Sequence, residues 1–222
     1  LGHQVVVFLR KGGNASRFLQ HHLRLGIGGL QQGGNGQLAA QLAQGVAPGI
    51  RYHAALQIAD EVGGGIYAVG PQRLRTAAEM GVPYVVAPGA LEMINLGTEE
   101  SLTEVQRGRV LYRHSPASVK MRANREEMMR AAQVFVDRLR NSSGNVEVII
   151  PVRGYSMVNA EGEVFYNPEA DAVFEQTIRE NMPVHVPVRL IDAHINDAAF
   201  AQLCTERLLA LMKMNKSKGE AQ

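Results

Sequence analysis

The sequence has almost no cysteine. Cys204 stands alone, so no internal disulfide can form, and it lies among apolar positions of helical spacing where a thiol behaves as a small hydrophobe. A reducing compartment is the default that follows. There is also no run of about 18 apolar residues to supply a membrane span. The start, Leu1 to Phe8, has neither the basic end nor the long apolar body of a secretory signal. A soluble, cytoplasmic protein is expected. No charge of one sign dominates: 23 Lys and Arg against 21 Asp and Glu leave +2 at pH 7, too little to argue for nucleic acid. Part of that excess sits on Lys213, Lys216 and Lys218, in a polar tail over 213–222. Metal-ligand spacings are missing as well. No His-x-x-x-His, Cys-x-x-Cys or His-Glu-x-x-His occurs, so no metal site of that kind is expected.

What is present has an ordinary globular balance, 45% hydrophobic and 20% charged over 222 residues, enough for one good core. Val5 to Phe8 read as a strand buried on both faces. Residues 1–57 are otherwise atypical, rich in glycine and glutamine, with runs such as Gly26-Ile27-Gly28-Gly29 that fit neither a dinucleotide fingerprint nor a P-loop. Over 58–212 the text becomes regular. Pro71 after Gly70 predicts a helix carrying Leu74, Ala77 and Ala78 inward, and Tyr84 to Val86 a strand. Asn124 and Glu127 form a capping-box pattern ahead of the stripe Met128, Ala131, Phe135 and Leu139. Val146 to Ile150 predict a strand, Asn167-Pro168-Glu169 a helix start, Val186 to Ile191 a strand, and Phe200, Leu203, Cys204, Leu208 and Leu211 the core face of a last helix beginning near Asp197. Strands alternating with helices predict an α/β domain: a doubly wound, mostly parallel, Rossmann-like sheet in a three-layer sandwich.

In such a sheet, ligands gather where loops leave the carboxyl ends of the strands. The stretch YVVAPGALEMINLG, Tyr84 to Gly97, breaks at Pro88-Gly89, where glycine lets backbone N–H groups approach an anion, and offers Glu92 and Asn95 beyond the break. Arg113 and His114 follow Val110-Leu111-Tyr112 and fall at the end of a predicted strand; arginine suits phosphate or carboxylate, and histidine can be acid, base or ligand. His194 and Asn196 share a face if the strand before them persists, while Asp197 caps the last helix. Asp60 and Glu61 before Gly63-Gly64-Gly65 pair two carboxylates that suit hydrated magnesium, and equally a glycine-stopped helix end. Gly154-Tyr155-Ser156 begins like a nucleophile elbow, but Val158 replaces the closing glycine and argues against a serine hydrolase.

Taken in order, IADEVGGG (Ile58 to Gly65), VVAPGALEMINLG (Val85 to Gly97), GRVLYRH (Gly108 to His114), NPEAD (Asn167 to Asp171) and HIND (His194 to Asp197) resemble the uncharacterised family typified by the tomato mosaic virus resistance protein, often labelled an ATP-binding domain family. The resemblance runs from about Ile58 to Phe200. It implies two Rossmann-like domains, of which this chain resembles the second, and for the full-length family ATP or a related nucleotide with magnesium as cofactor. The family's first-domain motif, of Gly-Thr-Leu-Asp-Thr-Lys-Gly type, is absent here, and Leu9-Arg10-Lys11-Gly12 and Ala55-Leu56-Gln57 stand in place of its glycine and threonine motifs. A reading-frame slip between Leu9 and Gln57 accounts for that contrast better than divergence does.

The expected function is a small-molecule-binding domain, nucleotide- or phosphate-related, lined by Gly89, Glu92, Asn95, Arg113, His114, His194 and Asn196. Its expected partners are the missing first domain and a second copy in a homodimer. One alternative is an enzyme that uses His114 or Glu92 as acid or base on a phosphorylated or carboxylated metabolite. The other is a truncated, inactive product.

Overall fold

The computed structural model describes residues 6–8, 51–52, 55–79, 83–142 and 145–220. Most of the glycine-rich segment, and Gly81 and Gly144, lie outside them. Their order is β1 (Val6–Phe8), β2 (Arg51–Tyr52), α1 (Leu56–Gly63), α2 (Arg75–Glu79), β3 (Tyr84–Val86), β4 (Met93–Asn95), α3 (Glu104–Arg107), β5 (Leu111–Ser115), β6 (Ser118–Arg122), α4 (Arg125–Leu139), β7 (Val146–Pro151), α5 (Pro168–Asn181), β8 (Val188–Ile191) and α6 (Ala198–Glu220).

The main sheet has the order β2-β1-β3-β7-β8. β3, β7 and β8 are parallel, with Val86 beside Val148 and Val148 beside Val188. Side-chain alternation gives the central strands β3 and β7 two dry faces. Tyr84, Val86, Val146, Val148 and Ile150 point into a core shared with α1, α4 and α5. Val85 and Ile149 point the other way, onto Phe200, Cys204, Leu208 and Leu211 of α6. Helices on both faces of a parallel sheet make the Rossmann-like three-layer fold read from the sequence.

Capping chemistry sets the helix starts. Asn124 accepts from the Glu127 N–H at 2.8 Å while the Glu127 carboxylate accepts from the Asn124 N–H at 2.6 Å, a complete capping box. Asn167 caps α5 through the Ala170 N–H at 3.0 Å, with Pro168 in the first turn. Phe135 of α4 meets Phe174 of α5 edge-on, centroids 5.4 Å apart, and Tyr155 packs on Phe174 in the same manner at 6.0 Å.

Several expectations change. β1 pairs with β3 antiparallel, because a three-residue apolar run says nothing about direction. Residues 71–74 form turns, and the helix starts only at Arg75, after Leu74 at φ 69°. The strand expected from Val186 begins at Val188; Pro187 precedes it and its carbonyl accepts from the Val148 N–H. The last helix continues through the polar tail to Glu220. A second sheet, β4-β6-β5, is antiparallel throughout and lies between β3 and α4 in sequence. Arg113 and His114 therefore sit inside β5 rather than at the end of a strand.

Candidate functional site

Three loops leave the carboxyl ends of β3, β7 and β8, and hydrogen bonds knit them together. After β3, Ala90 takes φ 45° and its N–H donates to Tyr155 O at 2.7 Å, fixing the Pro88-Gly89-Ala90 turn against the loop after β7. The Gly89 N–H donates to Ala87 O at 2.9 Å, so the donor expected to face an anion is used within the turn. The turn delivers Glu92 to the interior, where it is fully buried. Ser156 Oγ donates to Glu92 Oε1, and Glu92 Oε2 has no hydrogen-bond partner. Burial pushes the Glu92 carboxyl up to about 7, against the lowering effects of the Ser156 hydroxyl and the Arg122 charge. This carboxyl exchanges its proton near neutrality.

His194 completes the group from the loop after β8. Its Nδ1 accepts from the Asn196 N–H at 3.2 Å, which fixes the tautomer with Nε2 protonated; Nε2 then donates to Ser156 O at 2.9 Å. The Asp197 carboxylate turns back to the His194 N–H at 2.8 Å instead of capping α6. Gly154, at φ 133°, lets this contact form, since a Cβ there would stand 2.9 Å from both His194 Cδ2 and Asn159 O.

Beneath the loops lies Arg122, which the sequence reading missed. Its Nε donates to Phe165 O at 2.8 Å, and its Nη groups reach Ala123 O at 3.0 Å, Asn167 O at 3.3 Å and Asp171 Oδ1 at 2.6 Å. Asn159 donates to the other Asp171 oxygen at 2.9 Å and accepts from the Tyr155 N–H at 2.8 Å. Burial raises the Asp171 carboxyl while Arg122 opposes the rise. No short sequence motif marks Arg122, because most of its partners, the Phe165 and Asn167 carbonyls and the Asp171 carboxylate, are distant in sequence.

The remaining predicted residues are elsewhere. Asn95, on β4, belongs to a clasp around Asp60: its N–H donates to Asp60 Oδ1 at 2.7 Å and its Nδ2 lies 3.1 Å from both Asp60 oxygens. Tyr67 N–H donates to Asp60 Oδ2 at 2.9 Å, and Lys120 Nζ donates to Asn95 Oδ1. Gly65 of the IADEVGGG stretch serves this clasp, since a Cβ on it would stand 2.3 Å from Asp60 Oδ1, while Gly63 makes room for Ile94, 2.2 Å from where its Cβ would be. Glu61 pairs with Arg138. The two carboxylates thus do not converge on a shared magnesium, and among the described residues no group of three His, Cys, Asp or Glu is placed to hold a metal. Arg113 is exposed and pairs with Glu99 through Nε at 2.8 Å, and His114 is exposed with its ring 6.1 Å from Tyr112. Among the described residues, no helix is long and apolar enough to cross a membrane.

Comparison with known proteins places the chain. Residues 36–212 match the model of the C-terminal domain of an uncharacterised protein family, UPF0261. The chain belongs to that family. The match starts before Ile58, inside the segment read as atypical. A UPF0261 protein of Clostridium tetani is 37% identical over 155 residues, covering 69% of this chain and 38% of the relative. One of Rhizobium meliloti is 32% identical over 173 residues, covering 77% and 44%. The tomato mosaic virus resistance protein Tm-1(GCR237) of Solanum lycopersicum is 30% identical over 158 residues, covering 70% and 21%. The chain spans less than half the length of each of these relatives.

Proposed function

We propose that this chain is a small-molecule-binding domain whose ligand enters at the carboxyl ends of β3, β7 and β8 and engages Glu92, Ser156 and His194. The observation that carries this reading is the partnerless oxygen of a fully buried Glu92, in a place where three strand-end loops converge. Strand-end position and the family resemblance support a nucleotide- or phosphate-related compound. The side chains fit its uncharged part: Arg122 is engaged by carbonyls and Asp171, Arg153 by Asp192 at 2.5 Å, and the Gly89 N–H by Ala87. A carboxyl that holds its proton near neutral pH can donate to a carbonyl or ring nitrogen where an ionised one would repel it. Both Glu92 and Ser156 are buried, so the side chains that cover them must move aside for entry.

The test is a thermal-shift series with the 222-residue chain against ATP, ADP, adenosine, inorganic phosphate and short carboxylates. A ligand present at about 100 times its dissociation constant adds roughly 2.7 kcal/mol. Adenosine or a nucleotide should raise the melting temperature, and Glu92→Gln should abolish the rise. If no compound shifts it, or Glu92→Gln shifts as wild type does, the reading is wrong.

A second reading, an acid–base enzyme, is favoured by one observation: the Glu92 carboxyl at about 7 is matched to proton transfer at neutral pH. Turnover of a bound compound lost in Glu92→Gln would support it, and binding without turnover would not. His114, on β5, is not hydrogen-bonded to this group.

A further inference from the structure

We propose that the outer face built from residues 157–166 and β5 is the surface on which the remaining part of the family's longer chain docks. Met157, Val164 and Tyr166 are 55%, 46% and 44% exposed, all within ten residues of one loop. The Phe165 N–H donates to Val158 O at 2.7 Å, which folds the backbone after Met157 back against the backbone before Tyr166. The patch continues onto β5 through rings: buried Phe165 meets Tyr112 edge-on at 6.3 Å, and Tyr112 lies 6.1 Å from His114. Tyrosine and methionine are enriched at the buried centres of protein interfaces, and three exposed apolar side chains on one loop are a feature that such a docking site would use.

The loop that carries them is built and held. Arg122 Nε and Asn159 Nδ2 both donate to Phe165 O, at 2.8 and 3.2 Å; Arg122 Nη2 donates to Asn167 O; and the Tyr166 N–H donates to Glu163 O at 3.0 Å. A buried arginine used to brace exposed apolar side chains gives a preorganised surface, which lowers the entropy lost on docking. The occupant follows from chain length. The match covers 38% and 44% of the Clostridium and Rhizobium relatives and corresponds to their C-terminal domain, so more than half of each relative lies on its amino-terminal side or beyond and needs a surface to pack on. This inference uses residues outside the Glu92 group and stands apart from the ligand reading.

Hydrogen–deuterium exchange tests it. The amino-terminal portion of the Clostridium tetani relative is fused ahead of this chain and compared with the 222-residue chain alone. Peptides covering 152–167 and 109–115 should exchange about tenfold more slowly in the fusion. Met157→Asp with Tyr166→Asp should remove that protection and leave the melting temperature of the 222-residue chain unchanged. Absence of protection there would overturn the proposal. So would protection centred on Ile66, Tyr67 and Val69, the exposed apolar run after α1, or concentration-dependent protection of 152–167 in the chain alone, which would identify a second copy as the occupant. Should the fusion not fold, the same comparison is made between the intact Clostridium tetani protein and its own matched segment, with the same outcomes deciding.

Discussion

Replacing Glu92 by glutamine removes a titrating group and keeps an oxygen for the Ser156 hydroxyl. In the unfolded chain the carboxyl ionises near its ordinary value of 4.5; in the fold, burial holds the proton on to about pH 7. Between those values the folded protein holds a proton that the unfolded chain has released, so stability falls as pH rises through the window and levels off above it. Below pH 4.5 both states hold the proton and the contribution vanishes. At about 1.36 kcal/mol per pH unit, the full cost above pH 7 is roughly 3 kcal/mol, of which about 2.5 kcal/mol accrues between pH 5 and pH 8. The assay is urea denaturation of wild type and Glu92→Gln at each pH from 5 to 8, read as the difference in unfolding free energy, so that titrations common to both proteins cancel. Wild type should lose ground to the variant by roughly 2 to 3 kcal/mol across that range. A difference that stays flat would show that the carboxyl ionises in the ordinary range and that the buried Glu92–Ser156 pair is not a proton-exchanging group.

Gly154→Ala should destabilise by about 2 kcal/mol or more, because it combines a φ of 133° with a Cβ 2.9 Å from a backbone oxygen; equilibrium urea unfolding measures it, and Gly162→Ala, at φ 85° in open space, is the milder comparison. Asp60→Ala strips the acceptor from the N–H groups of Tyr67 and Asn95 and should cost roughly 2 to 5 kcal/mol, seen as an earlier denaturation midpoint with an unchanged slope. Arg122→Lys keeps the charge and loses the fork, so the loop at 159–167 should become the first site of limited proteolysis; cleavage no faster than in wild type would refute its bracing role. Burial and the Glu147 charge push the Cys204 thiol up to about 12, so an aromatic disulfide reagent should label it only after urea unfolding.

The sequence carried the elements whose chemistry is local. Asn124 and Glu127 announce α4, Asn167-Pro168 announces α5, and both caps form as expected, because each is completed within three residues. The parallel strands β3 and β7 are legible as apolar runs because helices cover both their faces. The antiparallel sheet β4-β6-β5 was not legible. Met93–Asn95 is too short to show alternation, and Leu111–Ser115, the edge strand, is polar along its second half. Arg113 and His114 were drawn to a strand end for that reason, and the residue that binds these loops together, Arg122, gave no signal because its acceptors include main-chain oxygens and the Asp171 carboxylate up to 49 positions away.

The same contrast resolves the break in YVVAPGALEMINLG. Its two polar residues read as one site in sequence, three positions apart, but they belong to opposite sides of the domain's chemistry. Glu92 follows the turn into the junction of three parallel strands and keeps an oxygen without a partner. Asn95 continues into β4, where both polar atoms of its amide and its N–H are consumed by Asp60 and Lys120. The turn therefore has one half whose polar atoms are spent on the Asp60 clasp and one half whose carboxyl keeps an oxygen without a partner. Asn95→Ala should lower stability and leave any ligand-induced shift in melting temperature intact, whereas Glu92→Gln should abolish the shift in a protein that still folds. If both variants lose the shift in proportion to their loss of stability, Glu92 has no role beyond packing and the strand-end junction is not a binding site.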